Sequence, residues 1–334
     1  SVDIVNPDNP STAKAVAIAP TFAGIDGLPC LIGPSYVSTT NTGKAFIVYG
    51  GLTAINCGPG GPVYELDLTT LAVGALPSPS CEQQGASYVS SSRGGTKLAF
   101  GSSISAAAPV WLIYDSASNS CANGTIGQPY GAAAAGDGNV FAAGFRISDP
   151  SADFINETAL PDPYYPNQAV GTPLGNGIFP LNLEKMNDSG SLLYVPFPGS
   201  VDILDVAHGI FRQRITLSEQ ILQAVDALSI DPTGENLFLI TDHGLTIVAL
   251  NGAPLSIGTV TPSSGAAGTA VTVRGSGFVQ STTASMNGKN ASATFVDADT
   301  ITLTIPALPS GSAQLGLGNP AGQGYVLDNA FTVN

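Results

Sequence analysis

The chain has 334 residues, 43% of them hydrophobic and only 10% charged, with 40 Gly, 25 Pro and a formal net charge of -14. Its 10 Lys and Arg are spread out and form no basic stripe for phosphates, so neither nucleic acid nor an anionic membrane surface is an expected partner. No apolar run approaches the roughly 20 residues of a membrane helix, so no membrane insertion is expected; the length allows two domains, and the wealth of turn residues suits an all-β fold.

A Pro- and Asn-rich lead runs into residues 13–19 (AKAVAIA), a strand pattern that Pro20 stops. A repeat then begins. Its mark is a turn glycine ahead of a hydrophobic strand: Gly43 before residues 45–49, Gly95 before 97–100, Gly138 before 140–143, Gly190 before 192–195 and Gly234 before 237–240. The intervals are 52, 43, 52 and 44 residues, within the range of repeat proteins. A short strand precedes each turn: SYVST from Ser35, SYVSS from Ser87, AAAAG from Ala132, LEKMN from Leu183 and ALSID from Ala227. A third strand follows in most units, often with an acidic exit, ending at Asp67, Asp115, Val206 and Leu250, and a fourth is visible over residues 209–217. These units, with small residues on the innermost strand where side chains crowd an axis, resemble blades of a β-propeller of the bacterial extracellular or surface-protein type. The resemblance implies about five four-stranded blades over residues 1–253. The fifth unit shows only three strands, so residues 13–19 are expected to supply its outer strand and close the ring; the rival expectation is that the five blades belong to a larger ring whose upstream part lies outside this chain.

One unit carries an insertion between residues 146 and 179, rich in Pro, Asn and Asp. Long loops on a rigid scaffold are where binding concentrates, which makes Tyr164, Tyr165 and Asn167 the binding candidates. The competing reading is that the tyrosines only pack over the rim.

Residues 254–334 read differently. A strand over 257–261 stops at Pro262, Ser-Ser-Gly and Gly-Thr pairs turn the chain, and a second strand over 270–274 alternates before Gly275, Gly277 and Phe278. This run resembles the start of an IPT/TIG domain, an immunoglobulin-like β-sandwich. The likeness extends through the turn at 285–288, the strand DTITLTIP at 299–306, a hairpin GSAQLGLGN at 311–319 and a closing strand at 330–333. IPT/TIG modules occur in cell-surface receptors, extracellular polysaccharide enzymes and some transcription factors, and the low basic content argues against the last.

Four cysteines, Cys30, Cys57, Cys81 and Cys121, lack the paired spacing of a zinc site, so two disulfides are expected, with free buried thiols as the alternative. Four cysteines allow three pairings. Blade geometry favours Cys30 with Cys57, leaving Cys81 with Cys121, although Cys121 is then expected near the opposite end of its blade. Disulfides together with scarce Lys point outside the cell, to a secreted or cell-surface protein. The chain opens at Ser1 without a visible signal peptide, so any targeting segment is expected upstream.

Catalytic signals are few. There is no GxSxG elbow, HExxH or P-loop. His208 and His243 each precede a turn glycine and read as structural. Glu184 and Asp226 lie near the starts of inner strands, where glycosidase propellers of similar shape carry their acid and base; a solvated charge at a blade entry is the simpler reading. Acidic pairs at Asp149 and Asp153, and at Asp297 and Asp299, lack EF-hand spacing, and Asn123, Asn156, Asn187 and Asn290 open glycosylation sequons. No metal and no cofactor is expected. The sequence favours a non-catalytic recognition or scaffold protein binding a protein or polysaccharide; the alternative is a carbohydrate-active enzyme with an accessory sandwich.

Overall fold

The computed structural model describes residues 2–6, 8–18, 22–23, 29–30, 34–49, 63–75, 81, 88–101, 110–125, 131–143, 146–156, 183–222, 227–231, 234–250 and 253–334. Among them there is no α-helix, and hence none long and apolar enough to cross a membrane. The fold is all-β: five propeller blades followed by an immunoglobulin-like sandwich. The chain divides into two compact units, one of residues 1–133 with 148–155 and the other of 134–147 with 156–334, so the third blade contributes to both.

Each blade is an antiparallel meander. Blades one to four have four strands: Pro34–Thr39 to Val73–Ala75, Tyr88–Ser91 to Ser120–Thr125, Ala133–Ala134 to Phe154–Asn156, and Lys185–Met186 to Ile210–Thr216. The fifth has three: Leu228–Ile230, Asn236–Thr241 and Gly244–Ala249. All five repeat glycines, Gly43, Gly95, Gly138, Gly190 and Gly234, have φ between 61° and 77°, a backbone region that side chains make costly. The turn they close recurs as hydrogen bonds. Gly95, Gly138, Gly190 and Gly234 each donate their N–H to the carbonyl three residues back, on Ser92, Ala135, Asn187 and Asp231. Side-chain oxygens of Thr40, Ser92, Asn187 and Asp231 accept from the amide that starts the next strand or precedes it, as Ser, Asn and Asp do at turns.

Neighbouring blades bury apolar faces against each other. In the first unit, Phe46 and Val48 of blade one meet Leu98, Phe100, Leu112 and Tyr114 of blade two, and the repeat-equivalent rings of Tyr36 and Tyr88 lie edge to face at 5.7 Å. In the second unit, Leu192, Tyr194 and Ile203 of blade four pack on Leu228, Leu237 and Leu239 of blade five. Repetition of one unit thus creates the core that no single sheet could bury.

The expected ring closure by residues 13–19 is overturned. The strand Asn9–Val16 pairs with Val2–Asn6 in a separate two-stranded sheet, and Val16 and Ile18 pack on Ala45, Ile47 and Leu66 of blade one. Alternation correctly marks a strand with one buried face, yet it carries no information about which edge that strand will meet.

The sandwich buries Leu255, Ile257, Val273, Phe278, Ile301, Leu303, Leu315 and Phe331 between its sheets. One expectation changes here: residues 311–319 form no hairpin. Gly311–Gly318 is a single strand paired with Gly324–Val333, and the turn lies beyond it, where Asn319 N–H donates to Gln323 O. Gly316 instead answers close packing, since a Cβ there would lie 2.9 Å from Ser285 Oγ.

Candidate functional site

Blade four holds the most densely connected polar groups of the second unit, and they face the sandwich. Its first turn supplies Asn187, Ser189 and Ser191, all buried. Asn187 Nδ2 donates to Ser191 Oγ at 2.8 Å, Ser189 Oγ donates to Gly275 O at 3.0 Å, and Ser256 Oγ donates to Ser191 Oγ at 2.7 Å. Ser276 Oγ lies 2.6 Å from Ser256 Oγ and donates to Pro254 O. The backbones approach closely enough that a Cβ on Gly258 would sit 2.4 Å from Ser189 O. Each bond is worth about 1 kcal/mol net, whereas leaving one buried partner unmet costs about 1–3 kcal/mol, so the seam demands a fixed geometry.

A second anchor sits at the end of the strand Ser200–Asp205. Asp67, Asp115 and Asp205 occupy equivalent places at the ends of third strands, and each accepts a backbone N–H in the following turn. Asp205, fully buried, also takes Arg212 Nη1 at 2.9 Å and the hydroxyl of Tyr325, from the sandwich, at 3.0 Å. Arg212 lies over the Tyr325 ring, and His208 meets that ring with 5.0 Å between centroids. Arg274 of the sandwich pairs with Asp188 beside the serine chain. A turn-capping aspartate of the repeat has been reused as a docking point.

Glu184 precedes the inner strand of blade four. Only 1% of it is exposed, and among the described residues neither carboxyl oxygen has a hydrogen-bond partner. Burial pushes its carboxyl up to about 7. Among the described residues the Tyr194 hydroxyl is likewise buried without a partner; burial, then the charges of Asp299 and Asp231, push its pKa up.

The remaining sequence candidates fall in different places. Tyr164, Tyr165, Asn167, Asp226 and Cys57 lie outside the described residues, as does the side chain of Cys30. Cys81 and Cys121 are joined by a disulfide with 5.2 Å between Cα atoms. His208 serves the Asp205 anchor, whereas His243 is exposed beside Asp242, whose hydrogen bond and charge raise its pKa. Among the described residues no group of three or more His, Cys, Asp or Glu could hold a metal. Sequence reasoning missed the seam. Its one available signal was the acidic exit of the third strands, seen as a repeat feature and not as a contact.

Residues 255–333 match the IPT/TIG domain family, which places the sandwich in that class. No curated protein matches the chain. Solved structures similar to it include the Dos1 propeller, at 12% identity over 65% of this chain and 54% of that one, with a TM-score of 0.45. Another is the Cps50 (Swd1) β-propeller domain of Myceliophteria thermophila, at 13% identity over 88% of this chain and 95% of that one, with a TM-score of 0.41. A third is PorZ, a bacterial surface component of the type-IX secretion system of Porphyromonas gingivalis, at 12% identity over 90% and 45%, with a TM-score of 0.43. The chain spans about half the length of the first and third of these.

Proposed function

We propose that this chain is a non-catalytic, secreted or cell-surface recognition and scaffold protein that binds a protein or glycan through its propeller face and the loop bearing Tyr164, Tyr165 and Asn167. The observation that carries the reading is the buried polar seam between blade four and the IPT/TIG sandwich. A buried, hydrogen-bonded seam holds two potential binding modules at one fixed geometry, which suits a scaffold and removes the hinge that a flexible tether would give. The Cys81–Cys121 disulfide fits an oxidising compartment. A glycan array and a surface-protein array, each probed with the wild-type chain and with the Tyr164→Ala/Tyr165→Ala variant, test it. Binding lost in the variant supports the reading; equal binding by both removes the loop from it.

A second reading, a carbohydrate-active enzyme, has one observation in its favour: a Glu184 carboxyl raised to about 7 is in the range of a working general acid, with Asp226 as the candidate partner. Burial weighs against it, since a side chain 1% exposed cannot reach a polysaccharide. Release of reducing ends by wild type and its loss in Glu184→Gln would reverse the order of the two readings.

A further inference from the structure

The strand Gly244–Ala249 ends the sheet of blade five among the described residues. Its hairpin fixes which backbone groups point outward. Thr241 and Gly244 flank a two-residue turn, so Gly244, Thr246 and Val248 bond toward Asn236–Thr241, and the N–H and C=O groups of Leu245, Ile247 and Ala249 face the open edge. No described residue bonds them. Leu245 and Ile247 are 64% and 58% exposed, with Ile240 beside them on the same face. The strand has no Lys, no Pro and no bulge, the devices that normally guard an edge.

The repeat indicates what covers a third strand. In blade four, Ser200–Asp205 is covered by the antiparallel strand Ile210–Thr216, whose Arg214 makes a two-pronged pair with Asp202. With Gly190 aligned on Gly234, Asp202 corresponds to Thr246, while Val201 and Ile203 correspond to Leu245 and Ile247. Blade five supplies the missing negative charge from elsewhere: Thr246 and Thr241 both donate their hydroxyls to Glu219 Oε2, and these bonds hold the Glu219 carboxyl below its ordinary range. Glu219 Oε1 takes neither bond.

We propose that the open edge of blade five is a docking site for an antiparallel β-strand of a partner protein, with a basic residue opposite Thr246 that pairs with Glu219 and apolar residues on either side. Strand addition of this kind takes affinity from main-chain bonds and specificity from alternate side chains. A second copy of the chain is the poorer occupant, because each copy carries a net charge of -14 and the arginines of its own basic edge strand Ile210–Thr216 are already paired with Asp205 and Asp202. The proposal stands apart from the propeller-face reading, because neither the face nor the Tyr164 loop takes part.

The probe is a synthetic peptide with the sequence of residues 209–217 (GIFRQRITL), and its twin has Glu at the place of Arg214. Amide exchange in the full chain, followed residue by residue by NMR, reads the outcome. Leu245, Ile247 and Ala249 are expected to exchange freely in the dilute protein and to slow at least about tenfold with the peptide, the twin binding about fivefold more weakly. Glu219→Gln is expected to erase the difference between peptide and twin. Ile247→Pro is expected to abolish binding while leaving the ladder to Asn236–Thr241 intact, since the Ile247 N–H points outward; Leu245→Lys serves the same end should the proline variant fail to fold. Unchanged exchange with the peptide overturns the proposal. So does protection of these amides in the dilute free chain, which means the chain covers its own edge, or protection that rises with protein concentration alone, which makes a second copy the occupant.

Discussion

Blades four and five start from the same turn and diverge toward the rim. In blade four the third strand carries Asp202 and Asp205, and the fourth strand returns Arg214 and Arg212 to them. In blade five the corresponding positions are Thr246 and Ala249, and no described fourth strand follows. In blade four the two buried acids of the third strand are thus matched by two arginines of the fourth, as expected when a buried charge without a partner costs more than the pair returns. Blade four gains a further use from this: Asp205, already neutralised by Arg212, can accept the Tyr325 hydroxyl and seat the sandwich.

The largest effect that tests this contrast comes from Asp205→Ala. It strands Arg212 and Tyr325 together and is expected to cost about 3–5 kcal/mol in chemical denaturation. The matching change in blade five, Ala249→Asp, adds a charge at an exposed position and is expected to stay within about 0.5 kcal/mol. Comparable losses from both would erase the distinction between a finished rim and an open one.

Inner strands differ in the same way, and the next effect lies there. Glu184 corresponds to Leu228, which is fully buried in the apolar core between the two blades. Because the folded state raises the Glu184 carboxyl from an ordinary 4.5 to about 7, the native protein binds a proton that the unfolded chain has released over this window. Stability from this group is therefore complete below about pH 4.5, falls as pH rises toward 7 and then levels off, a loss of about 3 kcal/mol. Glu184→Leu, which installs the blade-five residue, is expected to flatten that slope in urea titrations at pH 4.5 and pH 8 and to stabilise the chain mainly at the higher pH. A slope unchanged by the substitution would remove Glu184 as its source.

What could be read beforehand tracks how local each determinant is. Gly43, Gly95, Gly138, Gly190 and Gly234 announce the blades because a left-handed backbone is a property of one residue, visible without knowing the fold. The IPT/TIG run is legible for a related reason, since its turns and alternating strands adjoin one another. The seam is not. Ser189, Ser191, Ser256 and Ser276 look like solvated turn residues, and only the folded chain brings Ser191 and Ser256, 65 residues apart, to hydrogen-bonding distance. Residues 13–19 show the same limit from the other side: the alternation is real, but Val2–Asn6 is a nearer partner than blade five, and proximity along the chain decided the pairing.

The smallest effect is the most specific to the seam. Tyr325→Phe removes one hydroxyl and leaves Asp205 with Arg212, His208 N–H and an otherwise unaltered ring contact, so a loss of about 1 kcal/mol is expected. Its location matters more than its size. If Tyr325 is a latch between blade four and the sandwich, amide exchange is expected to quicken on both sides of it, in residues 203–205 and 324–327, while residues 237–239 between blades four and five stay protected. Quickening confined to residues 324–327 would mean that the tyrosine only steadies its own strand, and that the serine chain from Asn187 to Ser276 holds the two modules together without it.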